Sequence, residues 1–123
     1  MAECYFGKLQ QLYTEVRASY NKLNKLQSAL DRKVSDIYHD LERREFSVAE
    51  GHEIARTLKE TLQMRRVVKQ EIALIMPTYN MLREHTGRVD EQYSRAVRKN
   101  FAIQENLNVT MGIDEVYAAM DVE

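Results

Sequence analysis

After Gly7 the chain runs to about Glu45 with neither glycine nor proline, and apolar residues recur through it at seven-residue intervals. Leu9, Leu12, Val16, Leu23, Leu26 and Leu30 fall on the a and d positions of a heptad, with Ser19 in one slot. Beyond Leu30 the spacing slips by four residues to Val34, Ile37 and Leu41, a stutter that relaxes a left-handed supercoil toward a straighter helix. The run therefore predicts one long helix, about 55 Å at 1.5 Å per residue. A helix of that length with a single apolar stripe is not stable alone, so another element must cover the stripe. Tyr5, Tyr13, Tyr20 and Tyr38 add aromatic bulk near it and are expected to pack.

The covering element is legible from Phe46 to Met76. Ser47 followed three residues later by Glu50 is the capping-box pattern, which satisfies orphan amides where a helix starts. A bend near Ser47 makes the two helices antiparallel, so that residue i of the first faces roughly residue 96 − i of the second. Leu41 then falls near Ala55, Val34 near Leu62 and Leu26 near residues 70–72, with Ile54, Leu58, Val68, Ile72 and Ile75 on the same side. Pro77 removes a backbone donor and biases Met76 away from helical angles, so it is expected to break or kink the helix there. A third helix follows through Leu82, Val89, Tyr93, Ala96 and Val97, with Glu84–Arg88 and Glu91–Arg95 pairs, a weak point at Gly87, and an end near Asn100. Residues 104–112 read as a linker. A short amphipathic helix closes the chain, with Ile113, Val116, Tyr117 and Met120 on one face and Asp114, Glu115 and Asp121 off it. The predicted fold is all-α: a long, coiled-coil-like antiparallel hairpin, a helix after Pro77 and a C-terminal amphipathic helix. Residues 1–103 form the hairpin or bundle, and 104–123 the linker and acidic tail.

Four glycines, one proline and 30% charged residues agree with long helices, and 123 residues suit one domain without separate substrate and cofactor lobes. No apolar run is long enough to cross a bilayer, nothing marks the start for export, and the lone Cys4 makes no internal disulfide. The expectation is a soluble cytoplasmic protein. Catalytic signatures are missing: there is no His-Glu-x-x-His, no P-loop, no Gly-rich dinucleotide turn and no Ser/His/Asp pattern. Asp36-x-x-His39 has half of the spacing used in di-iron bundles, but the second pair is absent and the remaining histidines, His52 and His85, are scattered. No catalytic residue, metal or cofactor is expected.

Charge is the more informative lead. The net value of −1 hides a basic middle, with ten Lys/Arg against six acids over residues 51–100, and an acidic tail, with no Lys/Arg and five acids over 101–123. Arg43, Arg44 and Arg56 each have an acid three or four residues away, but Arg65, Arg66 and Lys69 have none, and Arg65 and Lys69 are like charges at i,i+4. Hairpin arithmetic places Arg32 and Lys33 near Arg65. The structural reading is a solvated face, or ion pairs across the hairpin to Asp31 and Asp36; the functional reading is a patch for a phosphate backbone, a nucleotide or an acidic protein. Arg95, Arg98 and Lys99 form a second candidate cluster. The tail, too short to be a stable helix by itself, either docks on the protein's own body or a neighbouring copy, or serves as a recognition peptide that folds on its target.

The long leading helix, the capping turn and the segment Arg65-Arg66-Val67-Val68-Lys69-Gln70-Glu71 together resemble small helical proteins of tailed bacteriophages, over residues 40–76. That resemblance implies a host-directed accessory or anti-defence role in the host cytoplasm and supplies no catalytic residue. The residues themselves imply a non-enzymatic interaction protein that self-associates and binds another protein. The alternatives are a nucleic-acid or nucleotide binder using the cationic cluster, against which stand a pI near 6.3 and the lack of a helix-turn-helix or aromatic RNA-binding signature, and a coiled-coil scaffold of a virion or assembly.

Overall fold

Side-chain chemistry at Ser47 sets the bend. The Ser47 hydroxyl accepts a hydrogen bond from the Glu50 amide at 3.2 Å, and the Ser47 carbonyl accepts the first intrahelical bond from Gly51 at 2.8 Å. Glu50 does not reach back to close the box; its carboxylate takes Arg44 instead, at 3.0 Å. The Phe46 ring lies over Gly51, 3.2 Å from where a β-carbon would stand, so it holds the place of a hydrophobic staple against a residue with no side chain. The computed structural model describes residues 1–120 and consists of α1 (Ala2–Arg43), α2 (Val48–Leu107) and α3 (Ile113–Met120). The fold is the all-α helical hairpin that the sequence implies. It divides into two compact units, Thr14–Asn80 and Met1–Tyr13 with Met81–Glu123.

Within the unit Thr14–Asn80, burial follows one unbroken heptad on each helix. On α1 the inward residues are Val16, Tyr20, Leu23, Gln27, Leu30, Val34, Ile37 and Leu41, and on α2 Ile54, Leu58, Thr61, Arg65, Val68, Ile72, Ile75 and Tyr79. Both sets alternate steps of four and three, the spacing of a coiled-coil seam. The stutter read from the sequence is therefore not there. It arose from counting Leu12 and Leu26 as seam residues, whereas both are more than two-fifths exposed and the slots after Val16 and Leu23 belong to Tyr20 and Gln27. Tyr20 stacks on Tyr79 with centroids 4.2 Å apart and planes 14° from parallel. The register is as expected near the bend, where Asp31 meets Arg65, but Tyr20 takes residue 79 rather than 76, because 79 is the nearest seam position able to match its ring.

Pro77 does not end α2. The helix runs through it, so the break and the separate third helix expected from the sequence are absent. Pro77 sits on the exposed side, while Ile72, Ile75 and Met76 before it are half-buried and Tyr79 after it is buried. Proline inside a helix costs about 3 kcal/mol. Burying Tyr79 and its neighbours along the seam offsets that cost, whereas a break would pull the same side chains off it.

In the other unit, Phe6, Leu9 and Tyr13 of α1 are half-buried, Leu82 and Thr86 of α2 are buried, and Phe6 stacks on Tyr93 with centroids 4.1 Å apart. Helix α2 continues past Asn100 to Leu107, so residues 104–107, read as linker, are helical. Asn108 stops it in the left-handed conformation, at φ 59°. The Val109 amide bonds the Gln104 carbonyl at 2.9 Å and the Asn108 amide bonds the Glu105 carbonyl at 3.2 Å, the two bonds of a Schellman cap. Asparagine tolerates this conformation because its short polar side chain reduces the penalty.

This seam makes two stability predictions. Tyr20→Ala removes a stacked seam ring and should cost about 3 kcal/mol in urea unfolding, whereas Leu26→Ala, off the seam and more than two-fifths exposed, should cost less than about 1 kcal/mol. The reverse order would mean that the seam runs through the leucines after all. Pro77→Ala restores a backbone donor on an exposed face and should stabilise the protein by about 1–3 kcal/mol. Destabilisation would show that the proline's local geometry is built into the packing at Ile75 and Tyr79.

Candidate functional site

A helix committed to one seam leaves its flanks open, and the two flanks of α2 within Thr14–Asn80 differ in chemistry. One residue after each seam position come Ala55, Lys59, Leu62, Arg66, Lys69 and Ala73, again at alternating steps of four and three. With Leu58, Arg65 and two glutamines they line an open trough of about 750 Å³. Its apolar part is Ala55, Leu58, Leu62 and Ala73, its charged part is Lys59, Arg65, Arg66 and Lys69, and no acidic residue lines it. On the opposite flank, Glu60, Met64 and Val67 precede the seam positions by one. Together with Leu26 and Leu30 of α1, Val68, and Gln63, which also borders the trough, they form a largely apolar groove of about 590 Å³.

The cations of the trough are not equivalent. The Arg65 Nε donates to Asp31 Oδ1 at 2.5 Å, an ion pair across the hairpin with both side chains partly exposed. This is the pairing to Asp31 that the structural reading expects. Lys59, Arg66 and Lys69 form no ion pair among the described residues and stay exposed. Arg56, one helical turn away, is held by Glu60 at 3.3 Å and Glu53 at 3.9 Å.

Of the candidate residues read from the sequence, the structure gathers Arg65, Arg66 and Lys69 and adds Lys59. Arg32 and Lys33 do not join them: Val34 is buried against α2, which turns Lys33 about 100° and Arg32 about 200° away from that direction. Both are exposed on α1. Arg95, Arg98 and Lys99 are exposed on the α2 segment of the other unit and line none of the cavities described. The Glu84–Arg88 and Glu91–Arg95 pairs are not formed; Glu84 approaches His85 at 3.9 Å instead. In the tail, Tyr117 is half-buried and its hydroxyl donates to Met1 Sδ at 3.8 Å, whereas Ile113, Val116 and Met120 are exposed. Asp121 lies outside the described residues.

Among the described residues no group of three His, Cys, Asp or Glu could hold a metal ion, and no helix is long and apolar enough to cross a membrane. Comparison with protein-family models, with curated proteins and with solved structures finds no match to this chain.

A double-mutant cycle measures how far Asp31 neutralises the trough. With both side chains about a third or more exposed, the Asp31–Arg65 coupling should be about 0.2–1 kcal/mol at low salt and should shrink as salt is added. A coupling of several kcal/mol that is insensitive to salt would make the pair a structural lock and remove Arg65 from the binding surface.

Proposed function

We propose that this chain is a non-enzymatic interaction protein, a helical hairpin that pairs with a second copy of itself and engages another macromolecule. The observation that carries this reading is the apolar groove at Leu26, Leu30, Met64, Val67 and Val68. Met64 is 46% and Val67 64% exposed, and further along the same flank of α2 Leu74 is 74% exposed. Scattered apolar side chains on a surface need no explanation, but a stripe at heptad spacing beside a coiled-coil seam is what a further helix packs against.

Charge on the groove's two sides favours a second copy as its occupant. The α1 side carries Lys22 and Lys33 around Leu26, and the α2 side carries Glu60 and Glu71 around Met64 and Val67. A two-fold partner that sets its α1 flank on this α2 flank brings lysines to glutamates and leucine to valine and methionine, as an isologous interface requires. The resemblance of residues 40–76 to small phage helical proteins supports a host macromolecule as the further target, in an accessory or anti-defence role.

The pairing is tested by sedimentation equilibrium at micromolar concentration. The wild-type chain should be dimeric or larger, and Met64→Lys with Val67→Lys, which places charge in the groove and leaves the seam alone, should yield a helical monomer. A wild-type monomer across that range would sink the pairing.

A further inference from the structure

We infer that the cationic trough on α2 seats an acidic amphipathic helix of another protein, laid alongside α2 over residues 55–73. The inference deepens the interaction reading above and rests on it for the partner being a macromolecule, but it uses the opposite flank from the self-pairing groove. Ala55, Lys59, Leu62, Arg66, Lys69 and Ala73 repeat at steps of four and three, so α2 carries a second seam beside the one it gives to α1. The ends of this second seam are alanines, which let a partner helix approach closely, and its middle is Leu62 with Leu58 beneath. Its length, about 27 Å at 1.5 Å per residue, matches a partner helix of about 18 residues.

Charge selects the partner's sign. Lys59, Arg66 and Lys69 have no carboxylate of their own among the described residues, and no acid lines the trough. A partner helix with Asp or Glu flanking its apolar positions would supply the missing anions in the e/g manner of coiled coils. A phosphate backbone fits less well. Leu58 and Leu62 offer it nothing, no aromatic ring lines the trough for a base to stack on, and one of the four cations is already engaged by Asp31. The chain's own α3 carries Asp114 and Glu115 but has eight residues, about 12 Å, too few to cover the trough.

The test uses the full-length chain and a dye-labelled synthetic peptide of about 18 residues, helix-stabilised, with leucines at heptad spacing and glutamates flanking them. A counterpart has lysines for the glutamates, and single-stranded and duplex DNA oligonucleotides serve as competitors. Anisotropy should give saturable binding of the glutamate peptide and at least tenfold weaker binding of the lysine peptide. Arg66→Glu with Lys69→Glu should weaken the glutamate peptide at least tenfold, Leu62→Asp should weaken it comparably, and Met64→Lys with Val67→Lys should leave it unchanged, each with helicity retained by circular dichroism. If the charge-reversed variant loses helicity, Arg66→Gln with Lys69→Gln takes its place and should still weaken binding severalfold. Equal affinity for the two peptides, or undiminished binding by the trough variants, overturns the inference. So does DNA that binds tighter than the peptide with a steep salt dependence, which assigns the trough to phosphates. Peptide displaced as the chain's own concentration rises assigns the trough to a second copy and also overturns it. A chain that stays monomeric yet binds the glutamate peptide refutes the self-pairing alone, so the two failures are separable.

Discussion

A helix in a two-helix hairpin has only one neighbour, and the single seam it can bury is the constraint on which the rest of this structure depends. Among the described residues the buried apolar side chains are Leu30, Val34 and Tyr79 in one unit and Leu82 in the other. The other apolar side chains along the seams are half-covered, so apolar burial must come from large side chains that reach across the interface. The near-parallel ring pairs, Tyr20 with Tyr79 and Phe6 with Tyr93, are that reach, one in each unit. Such pairs add about 0.5–1.5 kcal/mol beyond the area they bury. The flanks of α2 are open for the same reason, and this is why α2 can present different chemistry on each side of its seam.

The seam is also unusually polar for something so thin. Gln27, Thr61 and Arg65 occupy inward positions between Leu23 and Val68, and Thr61, fully buried, turns its hydroxyl back to the Thr57 carbonyl at 2.7 Å. Asn80 Oδ1 and Thr86 Oγ1 are buried without a protein partner, each a group whose desolvation costs about 1–3 kcal/mol. Polar seam residues give up stability and in return restrict register. Sliding α1 by one heptad would take Asp31 away from Arg65 and put Asn24 or Tyr38 in its place, leaving a half-covered guanidinium without its carboxylate. An all-leucine seam would carry no such penalty and would tolerate the slip.

The helical hairpin was legible from the sequence because its signals are local: the glycine-free run, the Ser47 cap and the heptad. Most of the α1 seam was legible too, since Leu9, Val16, Leu23, Leu30, Val34, Ile37 and Leu41 belong to both the expected and the observed repeats. The remaining slots were displaced by one residue, because leucine at 12 outranks tyrosine at 13 in hydrophobicity and leucine at 26 outranks glutamine at 27, which left Ser19 in the slot of Tyr20. Ser19 standing in the leucine repeat was the sign of the error. Pro77 misled because its cost is local and its compensation lies in tertiary packing, beyond what a propensity measures. The end of α2 was missed although Asn108 marks it, since asparagine in the left-handed conformation is one of several things an Asn-rich stretch can mean. In the trough, Arg65, Arg66 and Lys69 were found by asking which bases lack an acid three or four residues away. Lys59, whose neighbours at those spacings are Ala55, Arg56, Leu62 and Gln63, meets the same criterion. Arg32 and Lys33 were drawn in by level along the hairpin alone, which takes no account of the direction a helical residue points.

A hairpin this thin ties its stability to whatever covers its flanks. A partner that binds the folded chain and not the unfolded one adds RT ln(1 + [L]/Kd), about 2.7 kcal/mol at a hundredfold excess over Kd, whichever surface it uses. Against a core that among the described residues holds four buried apolar side chains and two unpartnered buried polar atoms, that is a large share of the total. The groove and the trough lie on opposite flanks of the same stretch of α2, so self-pairing on one and partner capture on the other would each supply burial that the hairpin cannot provide for itself.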